Sequence, residues 1–205
     1  MLGDLEEPVR RYFSHAISDG AALSNGVRMA MSGRIKVGLW LPFTAEQTVD
    51  GRSFTWRARV GPGPVTPLRV TDHYADAAGS TEGRLLGRMT LFDAHDANTA
   101  RSAAMRAAIE SVAFAPISVL PDRGVAWRAE TESIIVARFD LPPEQPEVRV
   151  RIDEHGAMRT VSGMRWGDDL DFGMRAVSLL PGGCRRLLRR RLRLLTKSWN
   201  TPMGY

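Results

Sequence analysis

A change of hydrophobic period at Val27 constrains this chain more than any motif it contains. Before it, Val9, Tyr12, Phe13, Ala16 and Ile17 recur at i, i+3, i+4, i+7 and i+8, the spacing of one helical face. Pro8 suits the first turn of that helix, Glu6 and Glu7 suit its dipole, and Gly20 follows as a stop. From Val27 the repeat falls to two. Val27, Met29 and Met31 alternate with Arg28, Ala30 and Ser32, and Ile35, Val37 and Leu39 with Arg34, Lys36 and Gly38. Phe54, Trp56, Ala58 and Val60 alternate with Thr55, Arg57 and Arg59, and Leu68 and Val70 with Arg69 and Thr71. Residues 85–92 read as a further extended run. The runs end at Asp50-Gly51, at the GPGP that starts at Gly61, and at the GSTEG that starts at Gly79. This pattern predicts a meander of antiparallel strands with one wet face and one apolar face.

A second helix is expected over residues 96–114. Asp96 suits its N-cap, Arg106 and Glu110 stand at i, i+4, and Pro116 lies just past the end. Its alanines (Ala97, Ala100, Ala103, Ala104, Ala107, Ala108) allow close approach to a sheet. More strands follow at residues 124–129, 133–139, 148–152 and 157–165, with Asp153, Glu154, His155 and Gly156 forming a hairpin turn between the last two. The expected fold is α+β: a curved antiparallel sheet, or half-barrel, with the N-terminal helix and the Ala-rich helix packed on it. It forms a single domain over residues 1–167.

Composition narrows the function classes. A chain of 205 residues with 43% apolar content can bury its own core without a disulfide or metal staple. Cys184 is the single cysteine, which excludes an intramolecular disulfide and a Cys-cluster zinc site. The net charge is +5, and residues 181–205 alone carry +7 (Arg185, Arg186, Arg189, Arg190, Arg191, Arg193 and Lys197, with no acid), leaving the body at −2. The pI near 10.1 therefore belongs to the tail, and a nucleic-acid partner is not expected. Asp4, Glu6 and Glu7 occupy the place of a signal peptide's positive segment, and no apolar run reaches membrane-spanning length, so a cytoplasmic location is expected.

Several stretches resemble a bacterial protein family of unknown function: SGRIKVGLWLPF from Ser32, FTWRARV from Phe54, GRLLG from Gly83, RAAIE from Arg106, and MRTVSGMRW from Met158. The likeness covers residues 9–167, with Phe114 where the family usually has tryptophan. It brings no reaction and no catalytic residues. Its strand–helix–strand order is similar to the half-barrel of LolA/LolB-type lipoprotein carriers, which implies an apolar sheet face as the place for a lipid or other apolar ligand.

Catalytic motifs are absent. Ser80 follows Gly79 but Ala78 stands where a nucleophile elbow needs glycine, and the prolines of GPGP remove amides that a phosphate loop would use. His15, His73, His95 and His155 lie far apart without a second ligand at metal spacing, so neither metal nor cofactor is expected. Asp72, His73 and Tyr74 form the one cluster with acid–base potential, with a structural role favoured. Trp40, Trp56, Trp127 and Trp166 fall on strands, as core or cavity wall. Glu110 is expected to pair with a strand arginine beneath the helix, Arg57 and Arg59 sharing one strand face. The candidate ligand-binding residues are thus Trp40, Trp56, Tyr74 and Glu110.

The chain from residue 168 to 205 departs from the rest. As a helix, residues 185–197 place Leu187, Leu188, Leu192, Leu194 and Leu195 on one arc with most of the basic side chains outside it, a pattern suited to an anionic membrane surface. The same Arg, Leu, Gly and Pro mixture is what an out-of-frame reading of GC-rich codons produces, so a frameshifted or truncated end is the rival reading. The leading function is non-enzymatic binding of a lipid or other apolar small molecule. The alternatives are an accessory enzyme using Asp72, His73 or Glu110, and a peripheral membrane protein held by the tail.

Overall fold

The computed structural model describes residues 2–63, 66–167, 173–179 and 194–195, with side chains as far as Arg165. Helix α1 spans Glu7–Ala16, carries Pro8 in its first turn, and buries Val9, Tyr12 and Phe13. Six strands follow: β1 (Val27–Val37), β2 (Leu39–Val49), β3 (Phe54–Val60), β4 (Leu68–Ala75), β5 (Ala78–Leu85) and β6 (Met89–Ala94). Each pairs antiparallel with the next, so their order in the sheet is their order in the chain. Helix α2 (Ala97–Phe114) comes next, and its N-cap Asp96 accepts a hydrogen bond from the Thr99 amide at 2.8 Å. Two short 3-10 turns, Pro116–Val119 and Pro121–Arg123, lead into a second antiparallel sheet. Its strands are β7 (Ala126–Thr131), β8 (Ile134–Arg138), β9 (Glu147–Ile152), β10 (Met158–Gly167) and β11 (Gly173–Leu179), in the order β11-β10-β9-β8-β7. A two-residue strand, β12 (Leu194–Leu195), lies parallel to β1 at Met31 and Ser32.

The class is α+β with antiparallel strands, and the strands divide between two sheets rather than forming one. Helix α2 is the reason. It packs against β2, β4 and β5 on one side and against β9 and β10 on the other. Ala100, Ala103, Ala104, Met105, Ala107, Ala108, Ile109 and Val112 are all buried, around most of its circumference, as befits a helix packed between two sheets. Both sheets receive it through glycine. A Cβ on Gly79 of β5 would lie 2.6 Å from the Ala100 Cα, and one on Gly163 of β10 would lie 2.7 Å from the Met105 sulfur. Helix α1 sits on β7 and β8, where Tyr12 and Phe13 meet the Trp127 ring at 5.5 and 5.1 Å between centroids. The Tyr12 hydroxyl donates to the Val112 carbonyl at 2.8 Å, which ties the two helices together.

Four local expectations are corrected. The GSTEG segment is the middle of β5, not a turn, because its glycines serve close approach: Gly79 lies under α2 and Gly83 under the Phe92 ring. The turns on either side fall at Asp76-Ala77 and at residues 86–88, so the run 85–92 is two strands, broken where Leu86 takes a positive φ. The run through Ile35, Val37 and Leu39 is likewise broken at Gly38, the tip of the β1–β2 hairpin. Within the expected basic helix of residues 185–197, Leu194–Leu195 is strand, pairing with the open edge of β1. The rest of that segment, with Cys184, lies outside the described residues. Strand β11 lies beyond Gly167, where the composition changes. Among the described residues no helix is long and apolar enough to cross a membrane.

Candidate functional site

The register of the first sheet aligns Met29, Gln47, Trp56, Asp72, Thr81 and Ala94 in one row across its inner face. Over this row pass Arg106 and Glu110, one turn apart on α2. The Arg106 Nε donates to Glu110 Oε1 at 2.9 Å, and its Nη1 donates to Asp72 Oδ2. Gln47 Nε2 donates to the second oxygen of Glu110, and the Thr81 hydroxyl donates to Asp72 Oδ1 at 2.9 Å. The guanidinium also stacks near the Phe54 and Trp56 rings, 4.7 and 5.4 Å from their centroids. Arginine suits this place because its planar fork serves two carboxylates at once.

Two carboxylates share one cation here, and Glu110 is 1% exposed. Burial pushes the Glu110 carboxyl above the usual glutamate range, against the pull of Arg106, with Asp72 adding to the rise and Arg165 opposing it. Burial works against the charge on Arg106, but Glu110 and Asp72 outweigh it and hold the guanidinium protonated. A carboxyl raised in the folded state binds its proton more tightly there. Its stabilising contribution is full below the ordinary glutamate value of 4.5 and is lost as pH rises through the folded value. Unfolding in urea across pH 4 to 8 checks this. The stability of Glu110→Gln should gain on that of the native chain as pH rises, and parallel curves would remove the claim.

The structure gathers some of the expected residues and separates others. Trp56, Asp72 and Glu110 meet in the cluster. Tyr74 lies one row away, opposite Phe54, fully buried, with its hydroxyl donating to the Pro142 carbonyl at 2.6 Å. Burial first, then Asp140 and Asp76, pushes this phenol up to about 12. His73 does not join Asp72. The period of two that turns Asp72 inward turns His73 to the other face, where its Nδ1 lies 2.8 Å from the Thr55 hydroxyl. Trp40 stands near the tip of the β1–β2 hairpin, on the outer face and 41% exposed, so it lines no interior. Arg57 and Arg59 are exposed on the outer face, and the arginine bonded to Glu110 is Arg106 of its own helix. A strand arginine, Arg165, contributes its field to Glu110 while its Nε donates to the Ser102 hydroxyl at 2.8 Å. Gln47 and Thr81 were not anticipated. Gln47 had a visible signal, a polar side chain between Ala45 and Val49 at the apolar parity of its strand. Among the described residues, no three His, Cys, Asp or Glu side chains gather as a metal ion would require.

A profile of a family of unknown function, DUF6544, matches residues 1–176. The chain belongs to that family. No curated protein and no solved structure matches the chain. The matched segment runs from α1 into β11, past Gly167, and takes in every residue of the polar cluster. Within this family member the cluster locks α2 to two strands at once, through Asp72 of β4 and Gln47 of β2. A buried ion pair of this kind is a weak source of stability and a strict requirement on packing, since either partner alone is left uncompensated.

Proposed function

We propose that the protein is a non-enzymatic binder of an apolar or amphiphilic small molecule, received at one end of the first sheet. The turns after β1, β3 and β5 all lie at that end, because each strand reverses the direction of the one before. The observation that supports the reading is the apolar surface there. Leu39 is 74% exposed, Leu86 72% and Met89 54%, beside the half-buried inner-face residues Ile35, Leu41 and Leu85. Scattered apolar residues on a surface need no explanation, but Leu85, Leu86 and Met89 adjoin one another at the β5–β6 turn, and the rim of a sheet is a common place for ligands. The other end of the same face is closed by α2 and the Arg106 cluster.

The enzymatic alternative rests on Asp72 and Glu110. Both carboxylates are already occupied by internal donors, and Glu110 is shut away from solvent, which favours a packing role. Native mass spectrometry of the purified chain, with titration of a neutral fluorescent naphthylamine probe, tests the binding reading. Expected are a co-purified apolar molecule near one per chain and saturable probe binding. Replacing Leu86 and Met89 by serine should weaken probe binding roughly ten-fold, from lost apolar contact of about 1–2 kcal/mol. Absence of both ligand and saturable binding ends this reading.

A further inference from the structure

We propose that the outer face of the first sheet, at the end bearing the β1–β2 tip, docks on an anionic phospholipid surface. The register carries the argument. One row below the strand ends, Arg59 of β3, Arg69 of β4 and Arg84 of β5 stand directly opposite one another on three adjacent strands, all exposed. Like charges placed directly across a sheet destabilise it, so such a ladder calls for an anion from outside. Glu82 pairs with Arg84, and Glu46, bonded to Arg28, also feels the field of Arg59; neither Arg59 nor Arg69 forms a salt bridge among the described residues, so the ladder keeps an excess of positive charge.

The hairpin beside this ladder says which anion. Strand β3 pairs with β2 as far as Phe43, so residues 39–42 of β2 and the facing part of β1 project beyond β3. The projecting outer face carries Arg34, Lys36 and Trp40. Lys36 lies opposite Trp40, and the Arg34 guanidinium donates to the Trp40 carbonyl at 3.2 Å. A half-exposed tryptophan flanked by two cations, with Leu39 at the tip, matches the layering of a bilayer interface: phosphates, then the ring, then apolar chains. An acidic protein or a nucleic acid would satisfy the arginines but would leave Leu39 and the Trp40 ring without a counterpart. The side chains that carry this docking all precede residue 185, and it holds whether or not the sheet carries a ligand.

The test uses the full chain and sedimentation with sucrose-loaded vesicles, phosphatidylcholine alone against the same lipid with 30% phosphatidylglycerol, a chosen composition, at about 0.1 M salt. Binding to the anionic vesicles is expected, and Arg59→Gln with Arg69→Gln, tail intact, should weaken it about ten-fold or more. Both arginines are exposed and mutually repelling, so this variant should unfold at the same or higher temperature than the native chain. Quenching by brominated lipid should fall in Trp40→Phe. Unchanged binding in the arginine variant, with binding lost when Arg185, Arg186, Arg189 and Arg190 are replaced by glutamine, would assign the contact to the tail and overturn the proposal. No binding to anionic vesicles by the native chain overturns it too, and directs attention to an acidic protein. The naphthylamine titration is read on the same variants, so loss of vesicle binding with probe binding intact separates this inference from the ligand reading.

Discussion

Arg106→Met is expected to destabilise the fold by roughly 3–5 kcal/mol, the cost of leaving buried carboxylates without their cation. The methionine keeps the bulk over the Phe54 and Trp56 rings, so the loss reports charge and hydrogen bonding more than a cavity. Two events follow removal of the guanidinium. Glu110, already raised by burial, loses the strongest force holding its proton affinity down and so binds its proton more tightly still. Asp72 retains the Thr81 hydroxyl but loses its charged partner. Replacing all three groups, Arg106→Met with Asp72→Asn and Glu110→Gln, should recover much of the loss, because neutral amides at these places need fewer donors. Urea unfolding at pH 7 measures both. If the single substitution costs under about 1 kcal/mol, the cluster is hydrated in solution, its packing role is wrong, and a polar ligand site beneath α2 becomes the better reading.

The elements that could be read from sequence were those whose residues have one physical use. Val9, Tyr12, Phe13 and Pro8 make a helix with a single apolar face, and Asp96 with Pro116 brackets the second helix, so both were legible. Period two placed β3 and the start of β4. Glycine was where the reading failed, since the same residue makes a turn and makes room. Gly79 and Gly83 lie inside a strand because a helix and an aromatic ring press on them, and both partners, Ala100 and Phe92, are invisible from the local sequence. Glu110 was found from its spacing to Arg106, but its surroundings required tertiary register: Asp72 and Gln47 come from strands two apart in the sheet. Parity also decided Trp40. One residue of offset puts it on the outer face with Lys36, where it serves no interior, and alternation alone did not reveal the turn at Gly38 that fixes that offset.

The close contact at Gly79 leads to the second large effect. Gly79→Ala adds a single methyl, yet that carbon would lie 2.6 Å from the Ala100 Cα, 2.8 Å from the Ala103 Cβ and 2.9 Å from the Thr99 carbonyl. Two of these are backbone atoms of α2, so no rotamer change relieves the clash and the helix itself has to move. An expected cost of about 3 kcal/mol lies at the upper end for overpacking. Gly87→Ala is the matched control. Its Cβ meets nothing within 4 Å, but its φ of +72° disfavours alanine, so its cost should stay near 1 kcal/mol. Thermal and urea unfolding should therefore rank Gly79→Ala well below Gly87→Ala in stability. The displacement also has a direction that can be checked. Moving the first half of α2 off β5 draws Arg106 away from Asp72, so Gly79→Ala and Arg106→Met should cost less together than the sum of the two alone, by 0.5 kcal/mol or more. Full additivity would mean that the helix pivots without disturbing the cluster, and that Gly79 and Arg106 hold α2 independently.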